Sequence, residues 1–169
     1  MTNVHFRGLH VEHVKWDMPP WGYIGLACCT VAVGRDPQPG WQWLEAAVEY
    51  DYARSCSFTD GGIAHVGSNG LCLRKGTADI LIQGNEVGDT GGGGIAAGDL
   101  ENAAYGYVHA PSPEPGECRG YRIANNYVHH CGLEDYGAYG IEVSEVQDTV
   151  IAHNLIHDTD YFGVLGDPS

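Results

Sequence analysis

The feature that most constrains the fold is a short segment that recurs along the chain with an asparagine at its centre. The copies are ILIQGNEVGD (80–89), YRIANNYVHH (121–130) and IAHNLIHD (151–158). In each copy the asparagine (Asn85, Asn126 or Asn154) follows an aliphatic residue by three positions and precedes another by two. Self-similarity of this kind is the signature of stacked repeat architectures, so it decides the fold before any single motif does.

Two earlier segments align on the same asparagine slot. VHFRGLHV (4–11) puts Leu9 in the slot. The stretch CSFTDGGIAHVGSNGLCL (56–73) aligns without a gap onto residues 126–143, which puts Cys56 in the slot and Phe58 two positions after it. A second short strand that begins with glycine and an aliphatic residue follows the later copies, at Gly70, Gly94, Gly140 and Gly163.

Each unit therefore reads as strand, turn, strand, turn, with apolar residues at every second position and no sustained helical periodicity. One such unit cannot bury a core alone, but units stacked about 4.8 Å apart can, with main-chain hydrogen bonds between layers. An inward asparagine at a turn can bond backbone groups and the same amide of the next coil. The sequence predicts an all-β parallel β-helix of about five coils with an asparagine ladder.

Two segments interrupt the repeat. Residues 17–45 are rich in Pro, Gly and Trp, and residues 99–120 account for the 41-residue spacing between Asn85 and Asn126. Loop insertions of a solenoid usually emerge on one face and build a binding surface. We therefore expect one domain over residues 1–169 with two loop insertions.

Composition narrows the classes of partner. The net charge is −14, with eight Lys and Arg against 22 Asp and Glu, which argues against nucleic acid, anionic membranes and polyuronates. A neutral sugar polymer or a bound cation fits this balance better. The N-terminus lacks the apolar region of a signal peptide, and no apolar run is long enough to span a membrane. The six cysteines show no CxxC spacing, and we expect Cys56 and Cys72 to be small buried hydrophobic residues.

The order of several segments resembles a known group: FRGLHVEHVKW (6–16), PPWGY (19–23), AAVEYDYARSCSF (46–58), GNEVGDTGGGGI (84–95), NNYVHHCGLEDYGAYGI (125–141) and TVIAHNLIHDTDYFGV (149–164). They resemble bacterial right-handed β-helix proteins related to glycoside hydrolases with fucosidase- or xylanase-type activities. The resemblance implies a right-handed helix, an oligo- or polysaccharide partner and an extracellular or periplasmic location. Members of the group usually carry an export signal, further coils and a Gly- and Trp-rich strand after the equivalent of 162–164, so we expect a fragment whose site is incomplete.

Alternation along the glycine-opened strands predicts the catalytic residues. It directs Ile141 and Val143 inward and Glu142 outward, and stacking then places Asp99, Glu142, Glu145 and Arg74 on one face. Glycoside hydrolysis needs two carboxyl groups roughly 5–10 Å apart, which neighbouring coils can supply. We predict Asp99 and Glu142 as the catalytic pair. The alternative is that they are ordinary solvated acids of an acidic protein.

The predicted substrate-binding residues come from three sources. Arg74 and Glu145 share the face of the catalytic pair, and the resemblance makes Glu134 and Tyr136 substrate ligands. Aromatic residues of the insertions offer flat faces to the C–H groups of sugars, and those selected are Trp41, Trp43, Tyr105 and Tyr107. The alternatives are an exposed turn at Glu134 and Tyr136, and burial of the rings against the solenoid.

Two further patterns concern cations. Asp60, Asp89, His130 and Asp158 each lie four residues after a slot residue, where the simplest role is to form a turn and the alternative is to bind Ca²⁺. His129, His153 and His157 invite a zinc interpretation, but their spacing spans a strand and a turn. We expect His129 and His157 to stack in one slot with a structural role. The sequence thus predicts no metal and no cofactor.

Three functions remain open at this stage. The favoured one is hydrolysis of a neutral glycan. The first alternative is a non-catalytic carbohydrate-binding or structural β-helix, or a truncated inactive relative. The second is a polysaccharide lyase or epimerase, which would need Ca²⁺ and a cationic base. The exposed ends of such a stack also favour self-association.

Overall fold

A computed structural model describes residues 1–17, 30–33, 40–98 and 118–167. Its regular elements in this part of the chain are all β-strands: β1 His5–Arg7, β2 His10–Glu12, β3 Thr30–Val33, β4 Gly40–Trp43, β5 Ala46–Tyr50, β6 Ser57–Thr59, β7 Gly62–Val66, β8 Asn69–Leu73, β9 Leu81–Gln83, β10 Glu86–Thr90, β11 Ile95–Gly98, β12 Arg122–Ala124, β13 Tyr127–Cys131, β14 Ile141–Ser144, β15 Val150–Ala152, β16 Leu155–Thr159 and β17 Val164–Asp167. Among these residues, no helix has the length and apolarity needed to cross a membrane.

The strands form three five-stranded parallel sheets. The orders are β1-β6-β9-β12-β15 in the first sheet, β2-β7-β10-β13-β16 in the second and β5-β8-β11-β14-β17 in the third. Each turn of the chain contributes one strand to each sheet, so coil 1 holds β1, β2 and β5, and coil 5 holds β15, β16 and β17. The predicted parallel β-helix of about five coils is confirmed.

The core consists of aliphatic columns that run through the coils. In the second sheet Ile63 pairs with Val87, which in turn pairs with Val128. In the third sheet Leu71, Ile95 and Ile141 form the equivalent column. All six side chains are fully buried. Strand alternation therefore directs one residue in two inward, and stacking of equal positions fills the interior.

The asparagine slot is a hydrogen-bonded ladder, as predicted. The Asn85 Nδ2 atom donates to Asn126 Oδ1 (3.1 Å), and Asn126 Nδ2 donates to Asn154 Oδ1 (3.0 Å). The backbone N–H groups of Asn85 and Asn126 donate to the same Oδ1 atoms at 3.0 and 2.9 Å. Each amide also donates to the backbone of the preceding coil, for example from Asn126 to Ile82 O (3.1 Å).

The prediction that Cys56 occupies this slot is wrong, because the gapless alignment crossed a turn of different length. Phe58 pairs with Ile82, so the slot residue of coil 2 is Gly61, whose N–H donates to Asn85 Oδ1 (3.0 Å). In coil 4, Ile141 lies ten positions after Cys131, whereas in coil 3 Ile95 lies five positions after Thr90. The gapless alignment therefore matches the second half of coil 2 correctly but places its first half five residues out of register. Leu9 of coil 1 does occupy the slot, since Gly62 N donates to its carbonyl.

The predicted turn stripe is partly wrong for the same reason. Asp60, Asp89, His130 and Asp158 all have φ between 49° and 53°, a left-handed conformation that Asp, Asn and His adopt more readily than most residues. This conformation bends the chain at each position, although Asp89, His130 and Asp158 lie within β10, β13 and β16, so their role as turn formers stays a prediction. The register, however, places His65 rather than Asp60 in the column of the other three. Asp60 lies instead at the level of Gly84, at the end of the first sheet.

The first insertion contains an antiparallel hairpin of β3 and β4, in which Trp41 pairs with Ala32 and Trp43 with Thr30. Four cysteines of the described part, Cys56, Cys72, Cys118 and Cys131, are buried free thiols. The interpretation of Cys56 and Cys72 as small buried hydrophobic residues therefore holds.

Candidate active site

The outward side of the third sheet carries the predicted catalytic position. Glu142 pairs with Ala96 of the coil before it and with Leu165 of the coil after it. Ala96 in turn pairs with Cys72. This column faces away from the core, as predicted, yet Glu142 is only 2% exposed and Ala96 and Cys72 are each 1% exposed. The face therefore holds a buried carboxyl group beside small side chains.

The charged groups on this face interact with one another electrostatically. Arg74 donates to Glu49 Oε1 at 2.6 Å, in an ion pair that is about a quarter exposed. Burial raises the pKa of Cys72 to about 12, while Arg74 opposes the rise and the carboxylates of Glu49 and Glu142 add to it. The thiol is therefore neutral at ordinary pH. The predicted substrate ligand Arg74 is thus ion-paired with Glu49.

Several predicted residues fall outside the described part of the chain. These are Asp99, Tyr105 and Tyr107, together with the side chains of Trp41 and Trp43. The pairing of Asp99 with Glu142 thus stays a prediction. Glu145 is described: it directly follows β14, is half-buried, and has φ of 51°.

A turn lobe, residues 132–139, holds a second buried acid. The lobe lies on the glycine turn of coil 3, where Gly132 N donates to Gly92 O (2.8 Å) and Asp135 N donates to Gly91 O (2.9 Å). Asp135 is 3% exposed, and its Oδ1 atom is buried without a hydrogen-bond partner among the described residues. Burial, and to a lesser extent the Glu134 carboxylate, raises the pKa of Asp135 to about 7.

The lobe brings the two predicted ligands of this turn to the surface, because Glu134 is exposed and Tyr136 is 78% exposed. Among the described residues no hydrogen bond or ion pair joins either of them to Glu142. Asp135, between them, was not selected from the sequence as a site residue. The signal that would have found it is the five-residue extension that coil 4 alone has among coils 2 to 5 at this turn.

An aromatic cluster joins the end of the lobe to the next coil. Tyr139 stacks on Phe162 with ring centroids 6.0 Å apart, and Tyr161 contacts both rings. Tyr139 is buried, whereas Tyr161 and Phe162 are about half exposed. Sequence reasoning looked for sugar-stacking rings in the insertions and missed this pair, which lies within the repeat itself.

Asp135 leads to a prediction about stability. Since its folded-state pKa is above the ordinary value near 3.8, the folded state binds more protons than the unfolded state between pH 4 and 7. Stability is therefore lost as pH rises through this window and is level above it. Between pH 4.5 and 7.5 the free energy of unfolding should therefore fall less for Asp135→Asn than for the natural sequence. The expected difference is on the order of 2 kcal/mol.

Urea unfolding at a series of pH values measures this difference. Glu134→Gln is the matched control, because it removes an exposed carboxylate from the same turn and should change the slope much less. Parallel curves for the natural sequence and Asp135→Asn would contradict the raised pKa.

Comparison with known proteins agrees with this architecture. Residues 47–167 match the family described as "Right handed beta helix region". The chain belongs to the right-handed β-helix family. A solved structure described as "Glycoside hydrolase" is similar to it with a TM-score of 0.67 and 18% identity, over 98% of this chain and 37% of that chain. No curated protein matches the sequence.

At that identity the likeness concerns the fold, and this β-helix spans little more than a third of the length of that structure. The resemblance to β-helix proteins of the glycoside hydrolase group, inferred from the sequence, is nevertheless confirmed at the level of architecture. What the chain does must be argued from its own side chains.

The outer face of the second sheet of the β-helix is rich in histidine. His129 and His157 pair in register and stack 5.7 Å apart, as expected. His157 Nδ1 donates to Asp158 Oδ2 (2.8 Å), and its Nε2 is hydrogen-bonded to the Tyr127 hydroxyl (3.0 Å). That hydrogen bond, followed by the charges of nearby histidines, lowers the pKa of Asp158. In the described ranges no three His, Cys, Asp or Glu side chains are grouped to hold a metal ion.

Proposed function

We propose that this β-helix hydrolyses glycosidic bonds of a neutral glycan, with Glu142 as one of two catalytic carboxyl groups. The observation that carries the proposal is the position of Glu142: outward on the third sheet, next to the small Ala96, and 2% exposed. A buried carboxyl is costly to keep, so its place on an outward face points to a role other than packing. The similar structure described as a glycoside hydrolase supports the same class of reaction.

Hydrolysis needs one carboxylic acid that is protonated at the working pH and a second that is ionised. Asp135, whose pKa is raised to about 7, meets the first requirement. It lies in the turn that leads directly into β14, the strand of Glu142. We therefore add Asp135 to the predicted pair of Asp99 and Glu142 as a candidate proton donor. Since Glu142 is covered in this structure, glycan binding must expose it before it can act.

The charge of the chain supports a neutral substrate. With a net charge of −14, the protein repels polyuronates, and Arg74 on the candidate face is engaged by Glu49. We propose no cofactor for the reaction, with Ca²⁺ at the aspartate turns as the alternative. We also propose that the protein works outside the cytoplasm, in the periplasm or extracellularly, where it would meet such a glycan.

Turnover of a panel of neutral oligo- and polysaccharides tests the proposal, with new reducing ends as the readout. We expect Glu142→Gln to lower kcat at least about 100-fold while binding is retained, as is usual for a catalytic carboxyl. Glu86→Gln, an exposed acid on the second sheet, is the matched control and should leave kcat unchanged. If Asp135 is the proton donor, kcat of the natural sequence falls as pH rises through about 7.

Two outcomes distinguish the role of Glu142 from the function of the protein. Turnover that survives Glu142→Gln would remove Glu142 from the mechanism. If the natural sequence folds but turns over none of the glycans, the hydrolase proposal is wrong.

A second candidate function is non-catalytic glycan binding or a structural role. The near-complete burial of Glu142 favours it, because a covered carboxyl meets no substrate. Binding without turnover, unchanged by Glu142→Gln, would select this function. The lyase or epimerase alternative is less consistent with the site, since Arg74 is committed to Glu49. Calcium-dependent release of unsaturated product would select it.

A further inference from the structure

Tyr127, His157 and Asp158 form a hydrogen-bonded chain on the outer face of the second sheet. Strand alternation directs Tyr127 of β13 outward, and the register places His157 of β16 in the next coil beside it. The Tyr127 hydroxyl lies 3.0 Å from His157 Nε2, and His157 Nδ1 donates to Asp158 Oδ2 at 2.8 Å. A hydroxyl, an imidazole and a carboxylate joined in this order are the parts of a catalytic triad, in which the imidazole activates the hydroxyl and the carboxylate orients the imidazole.

The carboxylate decides which ring nitrogen of His157 carries the proton. The hydrogen bond from His157 keeps the pKa of Asp158 below its ordinary value, so this carboxylate is ionised and can only accept. A neutral His157 therefore has its proton on Nδ1, and its Nε2 lone pair faces the Tyr127 hydroxyl. In that state the hydroxyl is the donor, and His157 is placed to take its proton.

Two rings hold the phenol of Tyr127 in position. The ring centroids of His129 and His157 lie 4.3 and 5.3 Å from that of Tyr127. His129 is itself held in place, because its Nε2 lies 3.2 Å from Glu86 Oε1. Tyr127 nevertheless remains 36% exposed, and its face of the sheet points away from the axis of the stack. A substrate can therefore approach Tyr127 from the side of the β-helix.

We propose that Tyr127 is the nucleophile of a second site, which transfers acyl groups from neutral carboxylic esters. The surroundings select this class of substrate, since Glu86 lies in register with Tyr127 in the preceding coil and Asp158 lies beside the base. Two carboxylates close to the nucleophile repel phosphate esters and other anions, whereas a carboxylic ester is neutral. The site is on a different sheet from Glu142 and does not depend on the proposed hydrolysis of glycans.

The reaction proceeds through a tyrosyl ester. Tyr127 Oη attacks the carbonyl carbon while its proton passes to His157 Nε2, and the alcohol of the substrate leaves with that proton. A water molecule then gives a proton to His157 Nε2 and attacks the tyrosyl ester. The carboxylic acid leaves as the proton returns to Tyr127 Oη. One ester and one water thus become one alcohol and one acid, without a change of oxidation state.

The probe for this activity is 4-nitrophenyl acetate. The readouts are the release of 4-nitrophenol above the uncatalysed rate and the masses of the acetylated peptides. We expect acetylation of Tyr127 in the natural sequence. Tyr127→Phe keeps the ring and removes only the hydroxyl, and it should lower the release at least about tenfold. Tyr136→Phe is the matched control, because Tyr136 is 78% exposed in the turn lobe, and it should leave the release unchanged.

His157→Ala tests the base separately from the fold. The release should fall about 100-fold, the usual contribution of a general base. Free imidazole should restore much of the loss, because it can take the proton in place of the missing ring. A merely structural role of His157 would not respond to imidazole.

Acetylation of Tyr127, together with recovery of His157→Ala in imidazole, supports the proposal. Release that survives Tyr127→Phe would overturn it, because the exposed histidines would then account for the reaction. Acetylation of Tyr136 as fast as that of Tyr127, or no effect of imidazole on His157→Ala, would overturn it as well.

Discussion

Asn126→Ala should lower the free energy of unfolding by about 3–5 kcal/mol. The substitution removes the acceptor of the Asn85 backbone N–H and the donor to the Ile82 carbonyl, at 3.0 and 3.1 Å. Both groups belong to residues that are at most 2% exposed, so water does not readily replace the lost partners. Each buried polar group left without a partner costs about 1–3 kcal/mol, and the cavity adds to that.

Two variants separate hydrogen bonding from packing. Asn126→Asp conserves the volume and one acceptor oxygen, but its carboxylate would face the Ile82 carbonyl, so it should cost at least as much as alanine. Asn154→Ala removes the equivalent bonds to Asn126 and Ile123 in the half-buried last coil. Water can reach that site, and we expect a smaller cost of about 1–2 kcal/mol.

Urea unfolding with a constant m-value measures the three variants. The expected order is a small loss for Asn154→Ala and large losses for both Asn126 variants. Equal costs for the alanine variants at the two positions would mean that burial does not control the ladder. A harmless Asn126→Asp would assign its role to packing.

The fold could be predicted because the repeat places the same side chain at the same level of successive coils. Three asparagines at matching distances from aliphatic residues were enough to set the register of coils 3 to 5. Coil 2 has Gly61 in the asparagine slot. Because glycine has no side chain to mark the slot, the alignment placed Cys56 there instead. The error was one of turn length, since the five extra residues of the lobe have no hydrophobic pattern to mark them.

The candidate site was less accessible to sequence reasoning. Strand alternation correctly directed Glu142 outward, because inward and outward are set by local periodicity. Burial is set by what lies against the face, and that information is not local. Asp135 looked like part of an exposed acidic turn beside Glu134 and Tyr136. Its isolation from solvent follows from the backbone bonds that hold the lobe on Gly91 and Gly92. The five-residue extension marks the lobe in the sequence but does not show these bonds.

Gly94→Ala should destabilise the protein by about 3 kcal/mol or more, and Gly163→Ala should be close to neutral. A Cβ atom on Gly94 would lie 2.6 Å from Gly140 O, 2.7 Å from Val128 Cγ1 and 3.1 Å from Cys131 Sγ. The first of these atoms is backbone in the next coil and cannot rotate away. Extra volume in a packed core costs about 1–3 kcal/mol even where side chains can adjust, and more where they cannot.

Gly163 opens the same strand one coil beyond Gly140, but it lies in coil 5, with no described coil stacked beyond it. In the described part of the chain, its Cβ would meet only Ile156 Cγ2, at the ordinary contact distance of 3.6 Å. The same substitution in the same structural position thus differs by the presence of a neighbouring coil. We expect the urea midpoint to fall for Gly94→Ala and to change little for Gly163→Ala, at equal m-values. A similar loss for both would mean that glycine is required by the strand opening itself, and not by the close approach of the next coil.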